Sequence, residues 1–178
     1  MSGRYDKLTI GSSVEWYTPP EIFEALGLSF DLDPCAPPGG LPWIPARTSY
    51  SRIEDGLAQP WRGRIWMNPP YGRGIERWMR KLAAHGDGIA LVHSRTDTAW
   101  WRDAIASATA LCFVAGRVRF VRGSTMSQEG PGSPVSSVLI AYGLACGIAL
   151  AQAGLGPTLI VPRGLQSDRA EPHVAEAT

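Results

Sequence analysis

The segment "RIWMNPPYG" at residues 64–72 joins an apolar run to an Asn-Pro-Pro-Tyr tetrapeptide. The run "RIWM" is typical of a strand, and the two prolines that follow lack backbone N–H donors and hold φ at about −65°. The strand must therefore end at Asn68. The Asn68 carboxamide, the carbonyls of Asn68 and Pro69, and the Tyr71 ring are left to face outward. The segment predicts a rigid polar turn at a strand end, although an ordinary strand-ending turn could have the same sequence.

Strand-like and helix-like segments alternate on both sides of this turn. Residues 28–36, "LSFDLDPCA", predict a strand that Pro34 ends, residues 74–86 an amphipathic helix, and residues 88–94 a strand buried on both faces. This alternation, with short connections, predicts an α/β fold whose sheet is parallel at least in its centre. The remaining predicted elements are a helix opened by Thr18 and ended by Gly27, irregular chain at 37–50, a helix at 97–108 with Asp97 as N-cap, strands at 110–114, 117–121 and 135–142, a loop at 122–134, a helix at 144–153 and an apolar segment at 158–162.

Length and composition favour a single globular domain. The chain has 178 residues, of which 44% are hydrophobic and 19% are charged. We expect a flexible arm at residues 1–13, a domain at 14–162 and a disordered tail at 163–178. The three cysteines lack a Cys-x-x-Cys spacing, so neither a disulfide framework nor a metal site is expected. No secretory signal pattern or membrane span is recognisable, which predicts a cytoplasmic protein.

Charge is distributed unevenly along the chain. Residues 1–61 hold four Lys or Arg and eight Asp or Glu, whereas residues 62–122 hold eleven Lys or Arg and four Asp or Glu. The first part therefore carries a net charge of −4 and the second a net charge of +7. Such a split suggests a positive surface that binds a polyanion, and solvated arginines on ordinary helix faces would explain it equally well.

The ends of two predicted strands mark the place to look for chemistry. Open α/β sheets bind ligands beyond the carboxyl ends of their strands, and Asp33 and Asn68 stand at two such ends. A planar exocyclic amine, such as adenine N6, must pyramidalise before it can attack a methyl group, which requires two acceptors aimed at its N–H groups. The Asn68 side-chain oxygen and the Pro69 carbonyl could be these acceptors, and a flipped-out base could stack on Tyr71. Cytosine N4 and a glutamine side-chain amide fit the same chemistry.

A methyl donor requires a second pocket. The stretch "FDLDPCAPPGG" at residues 30–40 could hold S-adenosylmethionine, with Asp33 accepting from the methionine ammonium or a ribose hydroxyl. Asp55, in "EDGL" at residues 54–57, could accept from the adenine of the cofactor. Each stretch is also typical of an ordinary turn.

The ordered set of motifs resembles the phage-type DNA N6-adenine methyltransferases. "EWYTPPEIFEALG", "FDLDPCA", "SYSRIEDGL", "IWMNPPYGRGIERWMRK", "SRTDTAWW" and "SPVSSVLIAYG" occur in that order over about residues 15–143. The resemblance implies a single-domain Rossmann-like methyltransferase fold with a mostly parallel sheet flanked by helices, S-adenosylmethionine as cofactor, and DNA as partner. A phage origin and a role in restriction and modification rest on it alone. The sequence "APPGG" stands where such enzymes usually have a glycine-rich G-x-G loop, so the residues that hold the ribose are not predicted.

The resemblance assigns a role to two groups of residues, and arginine chemistry suggests a third group, although each arginine taken singly is more often a solvated surface residue. It implies that the methionine end of the cofactor lies against Thr18 and Pro19. The turn that holds the cofactor would be formed by Asp33, Cys35 and Ala36, and the adenine of the cofactor would face Asp55. It implies that the target base is received by the catalytic residues Asn68, Pro69, Pro70 and Tyr71. Candidate DNA contacts are Arg73, Arg77, Arg95, Arg117, Arg119 and Arg122.

Other readings stay open at this point. Trp16, Trp43, Trp100 and Trp101 could stack on bases, although core packing is the usual role of tryptophan. An N4-cytosine methyltransferase or a protein-glutamine methyltransferase would use the same tetrapeptide. The chain could also be a non-catalytic module that binds DNA or S-adenosylmethionine.

Overall fold

A computed structural model describes residues 15–128 and 132–162 of the chain. The predicted arm at 1–13 and tail at 163–178 lie outside the described residues. In the described ranges no helix is long and apolar enough to cross a membrane, and the longest helix has 11 residues.

The described residues form four helices and ten strands. The helices are α1 (Pro20–Leu26), α2 (Ile75–His85), α3 (Ala99–Ala106) and α4 (Leu144–Gln152). The strands are β1 (Trp16–Tyr17), β2 (Phe30–Asp33), β3 (Ala46–Ser49), β4 (Ile65–Met67), β5 (Gly88–His93), β6 (Ala110–Phe113), β7 (Val121–Arg122), β8 (Ser127–Gln128), β9 (Ser137–Tyr142) and β10 (Thr158–Ile160).

Seven of these strands form one mixed sheet in the order β10-β6-β9-β5-β4-β2-β3. The pairs β5–β4, β4–β2 and β2–β3 are parallel, whereas β9 is antiparallel to both β5 and β6, and β10 is antiparallel to β6. Strands β2 to β6 therefore all run in one direction, and β9 lies reversed between two of them. The predicted α/β class is confirmed, and the predicted parallel pairing occupies one half of the sheet.

Helices cover the sheet on both faces. Successive side chains of a strand point to opposite sides, so a strand that is apolar throughout must be covered on both. Ile65 and Met67 of β4 pack in a cluster with residues of α2 and α3. Trp66, between them, packs in a second cluster with residues of α1 and α4. The Trp66 ring meets Phe23 edge to face at 4.6 Å between centroids. Strand β4, which leads into the Asn-Pro-Pro-Tyr turn, is thus fixed from both sides.

A short sheet stands apart from the large one, with the order β1-β7-β8. All its pairs are antiparallel, with Trp16 opposite Arg122, Tyr17 opposite Val121, and Arg122 opposite Ser127. The backbone N–H of Gly123 donates to the Glu15 carbonyl and extends this pairing by one bond.

Two sequence predictions of strand position were wrong. Residues 37–50 are not wholly irregular, because β3 begins at Ala46, directly after Pro45, and pairs in parallel with β2. Its prolines and glycines all precede the strand, so nothing prevents pairing at the sheet edge. The predicted strand at 117–121 is reduced to Val121 and Arg122 of β7, and the predicted loop at 122–134 contains β8.

Two helix starts also differ from the prediction. Helix α1 begins at Pro20 with Pro19 in the N-cap position, and Thr18 makes no side-chain cap bond. Helix α3 begins at Ala99 with Thr98 in the N-cap position, whereas Asp97 forms an ion pair with Arg95 at 3.4 Å. Thr18 and Asp97 are therefore available for other roles than capping.

Candidate active site

The carboxyl ends of three neighbouring strands bring the candidate residues to one edge of the sheet. Asp33 ends β2, Asn68 follows the end of β4, and His93 ends β5. These strands are adjacent and parallel in the order β5-β4-β2, so the three side chains emerge at the same edge. This is where open α/β sheets bind ligands.

The Asn68 carboxamide is held at both of its polar atoms. Its Nδ2 donates to the Trp16 carbonyl oxygen at 3.2 Å, and its Oδ1 accepts from the Tyr71 hydroxyl at 3.0 Å. An amide oxygen has two lone pairs, so Oδ1 keeps one acceptor position for a further donor. Pro69, the next residue, is buried, which fixes the turn against the core. The side-chain oxygen of Asn68 is therefore oriented by the protein itself.

Tyr71 turns back toward the sheet and stacks on His93. The two rings are 3.8 Å apart between centroids and lie within 6° of parallel. The Tyr71 hydroxyl is also 3.4 Å from the Leu91 carbonyl oxygen. Burial, with a smaller effect of Cys35, raises the pKa of Tyr71, so the phenol is a neutral donor to Asn68. One face of the ring is covered by His93.

His93 is uncharged at neutral pH. Burial first, and the nearby positive charge of Arg95 second, lower the pKa of His93 to about 4. A neutral imidazole packs flat on the tyrosine ring without a desolvated charge. His93 therefore supports Tyr71 by packing.

Asp33 is a buried carboxyl group with few donors around it. Its side chain is 4% exposed, and its Oδ1 accepts from the backbone N–H of Cys35 at 2.9 Å. Burial raises the pKa of Asp33 to about 7, and the Cys35 N–H opposes this shift only in part. A cationic ligand group would stabilise the ionised form of such a carboxyl.

Thr18 carries a buried hydroxyl group that forms no hydrogen bond with any described residue. The residue is 1% exposed, and within the described residues its Oγ1 has no hydrogen-bond partner. Its carbonyl accepts from Trp43 Nε1 at 2.9 Å, which fixes the backbone at this position. A buried hydroxyl without a partner is costly, and a polar ligand would remove that cost.

The Asp55 loop lies against the turn that follows Asp33. A Cβ atom on Gly56 would stand 2.1 Å from the Pro34 carbonyl oxygen, so only glycine allows this contact. Asp55 itself is exposed, has a positive φ of 54°, and accepts from the Leu57 N–H at 3.2 Å. The structure thus brings together the two segments that were predicted to bind the cofactor, although Asp33 and Asp55 are 22 residues apart in the sequence.

Lys81 of α2 holds this loop in place. Its Nζ donates to the carbonyl oxygens of Leu57 and Gln59 at 2.7 and 2.6 Å, and lies 3.4 Å from that of Gly56. It also sits 4.6 Å above the centre of the Trp61 ring. Sequence reasoning missed Lys81, because its contacts are with backbone atoms more than twenty residues away and carry no local motif.

A cavity of about 300 Å³ opens beside the Asp33 turn. Asp33 and Ala36 line it together with Gly39, Gly40 and the end of β3 at Ser49. Gly40 has a φ of 70°, and a Cβ there would stand 3.2 Å from Ser49 Oγ. The Pro- and Gly-rich stretch that follows Ala36 therefore forms a wall of this cavity. Among the described residues, no cluster of three or more His, Cys, Asp and Glu side chains is arranged to hold a metal ion.

The family match agrees with this arrangement. A family model described as "DNA N-6-adenine-methyltransferase (Dam)" matches residues 9–144. The chain belongs to this family. No curated protein and no solved structure matches it significantly. The resemblance drawn from the sequence motifs is confirmed, and it covers nearly the same residues as the Dam match.

The six arginines expected to contact DNA all follow the carboxyl ends of parallel strands in this Dam-family chain. Two come after β4, one after β5 and three after β6, namely Arg73, Arg77, Arg95, Arg117, Arg119 and Arg122. Because β4, β5 and β6 run in the same direction, these segments leave the sheet at the edge that carries Asn68. Arg95 is paired with Asp97, and Arg117 donates to Ser136 Oγ at 3.2 Å.

Proposed function

We propose that this chain transfers a methyl group from S-adenosylmethionine to N6 of an adenine that is flipped out of duplex DNA. The observation that carries the proposal is the Asn68 carboxamide, oriented by Trp16 and Tyr71 at the carboxyl end of β4. Membership in the Dam family of DNA N6-adenine methyltransferases supports adenine over cytosine and over a protein amide.

The residues of the cofactor side fit S-adenosylmethionine. Within the described ranges, Thr18 Oγ1 is buried without a hydrogen-bond partner, and the buried Asp33 carboxyl accepts from the Cys35 N–H and forms no ion pair. The methionine ammonium would supply donors to Asp33, and a polar group of the methionine end would bond to Thr18. Pro19, Cys35 and Ala36 would line the same end of the cofactor. Asp55 would face its adenine. When bound, the cofactor supplies an electrophilic methyl group.

The protein's contribution to the reaction is to prepare the target amine. Asn68 Oδ1 and the Pro69 carbonyl accept the two N–H groups of adenine N6, which directs the nitrogen lone pair out of the ring plane. The Trp16 carbonyl keeps the amide N–H₂ of Asn68 turned away from the amine. Pro70 keeps the turn rigid, and Tyr71 offers the ring face opposite His93 to the base. Once methylated, the amine is acidic and loses its proton to water, so no general base is required.

The strand order supports a Rossmann-like methyltransferase fold. Five strands run in one direction, and the reversed β9 lies between β5 and β6, with the candidate ligand-binding turns at one edge. The arginines that follow β4, β5 and β6 would meet the DNA backbone at that edge. A cytoplasmic location and a phage origin stay predictions from the sequence.

The test is methyl transfer to unmethylated duplex DNA in the presence of S-adenosylmethionine, followed by nucleoside mass spectrometry. We expect N6-methyladenine. N4-methylcytosine would retain the Asn68 chemistry and correct the target. If cofactor binds and neither nucleoside forms, the proposal is wrong, and a protein amide or a non-catalytic binding role takes its place.

A further inference from the structure

Trp16 differs from the other tryptophans of the chain in its exposure to solvent. The chain has seven tryptophans, and Trp16 is 44% exposed whereas the other six are buried or half-buried. Trp66 and Trp101, for example, are 0% and 4% exposed. A large indole left on the surface beside a catalytic turn requires an explanation other than core packing.

Strand β1 places the backbone of Trp16 directly beside Asn68. The carbonyl of Glu15 points to β7, where it accepts from the Gly123 N–H. Backbone carbonyls alternate in direction along a strand, so the Trp16 carbonyl points the opposite way, to Asn68 Nδ2. Strand β1 therefore lies between β7 and the catalytic turn, and the order across this surface is β8, β7, β1, Asn68.

One face of the small sheet is turned outward. Residues directly opposite each other in an antiparallel pair share a face, so Trp16, Arg122 and Ser127 form one row. The other face packs on the protein, since Val121 is 5% exposed and Gln128 donates to the Glu21 carboxylate. The exposed Trp16 ring thus lies on the outward face of the small sheet, on the strand whose backbone contacts Asn68.

We infer that the Trp16 side chain stacks on the DNA bases beside the flipped adenine and fills the gap that the adenine leaves. This inference rests on the proposed function and names the residue that stabilises the opened duplex. Removing a base from the stack costs unpairing and unstacking energy, and an aromatic ring in the gap offsets part of it.

The two roles of Trp16 can be separated by substitution. Asn68 is held by the backbone carbonyl of residue 16, which Trp16→Ala retains, while the stacking surface is lost. Trp16→Phe keeps an aromatic ring and is the matched control. S-adenosylmethionine binding, measured by calorimetry, and the circular dichroism spectrum should match the wild type in both variants.

The decisive experiment compares two duplexes that contain a site methylated by the wild-type enzyme. In one the target adenine is paired with thymine, and in the other it stands opposite an abasic position, which lowers the cost of flipping. We expect Trp16→Ala to lower kcat/KM about 10- to 100-fold on the paired duplex, and Trp16→Phe to lower it about threefold or less. On the abasic duplex the Trp16→Ala defect should shrink to about threefold.

A second readout follows the base itself. With 2-aminopurine in place of the target adenine, the wild type and Trp16→Phe should increase fluorescence on binding, and Trp16→Ala should not. An equal loss on both duplexes, or no loss on either, would overturn the role of Trp16. Absence of adenine methylation by the wild type on every duplex would instead overturn the proposed function, and this inference with it.

Discussion

The two halves of the candidate site differ in how their polar groups are satisfied. On the target-base half, both polar atoms of the Asn68 side chain are hydrogen-bonded within the protein. On the cofactor half, Thr18 Oγ1 has no partner among the described residues, and burial raises the pKa of Asp33 to about 7. Under the proposed function, the protein therefore prearranges the group that acts on the base, and the cofactor would complete the other half.

The largest effect is expected on the target-base half. Asn68→Ala removes the side-chain acceptor for the amine, and the turnover number for methyl transfer should fall by about 10²–10³ or more. Steady-state incorporation of labelled methyl groups into duplex DNA measures this loss. Tyr71→Phe keeps the ring and removes one hydrogen bond to Asn68, so its turnover should fall only about tenfold. Turnover near the wild-type level in Asn68→Ala would refute the proposed chemistry.

The cofactor half should respond to pH through Asp33. In the proposed function the ionised carboxylate binds the methionine ammonium, so binding would be linked to loss of a proton from a group with a pKa of about 7. S-adenosylmethionine should therefore bind about tenfold more tightly at pH 8 than at pH 6. Calorimetric titration at the two pH values measures this ratio. In Asp33→Asn the affinity for S-adenosylmethionine should be weak and nearly independent of pH. If the variant kept the tenfold difference in affinity between pH 8 and pH 6, another group would be responsible for the pH dependence.

The same carboxyl gives an opposite pH dependence to the stability of the unliganded protein. A folded-state pKa raised to about 7 means that the folded protein retains a proton that the unfolded chain loses near pH 4. Asp33 therefore favours the folded state at low pH, and this contribution is lost as the pH rises from about 4 through about 7. Asp33→Asn should flatten that part of the stability curve in urea unfolding experiments.

Substitution of Lys81 tests whether the Asp55 loop belongs to the cofactor half of the site. Lys81→Met removes the donor to the carbonyl oxygens of Leu57 and Gln59. Because the loop is then less well held, the KM for S-adenosylmethionine should rise about tenfold, while kcat stays within about twofold. Arg80→Met, at an exposed neighbouring position of α2, is the control and should change neither value. A fall in kcat with an unchanged KM would place the loop on the target-base half instead.

The smallest effects are expected from single arginines. Arg73→Gln or Arg77→Gln should weaken DNA binding a few-fold and reduce the slope of log K against log salt by about 1, because each removes one phosphate contact. S-adenosylmethionine binding should stay unchanged. Arg102→Gln on α3 serves as the control, since Arg102 is exposed and was not expected at the interface. If the slopes of log K against log salt were equal for all three variants, Arg73 and Arg77 would not contact DNA phosphates.

The sequence predicted the parts of the molecule that have strong local signals. The strand that ends at Asn68 is marked by Pro69 and Pro70, and helix α2 by its apolar period. The position of Asp33 near Asn68 followed from the rule that parallel strands meet ligands at their carboxyl ends. These signals depend on residues close together in the chain, which is why they could be recognised without a structure.

The contacts that orient the catalytic group could not be predicted in this way. Strands β1 and β7 have two residues each, too few to show a period of two. The bond from Asn68 to Trp16 joins residues 52 apart, and those from Lys81 to the Asp55 loop join residues more than 20 apart. Their acceptors are backbone carbonyls, which any residue type provides. The identity of the residue at such a position therefore gives no sign of the contact.

Separation of the two halves of the site is the central claim, and calorimetric titration of S-adenosylmethionine into Asn68→Ala tests it most directly. The variant should bind the cofactor within about threefold of the wild-type affinity at pH 8, because the Asn68 side chain bonds to Trp16 and Tyr71 and not to Asp33 or the Lys81-held loop. A loss of affinity as large as that of Asp33→Asn would contradict the claim, since it would show that Asn68 belongs to the cofactor half.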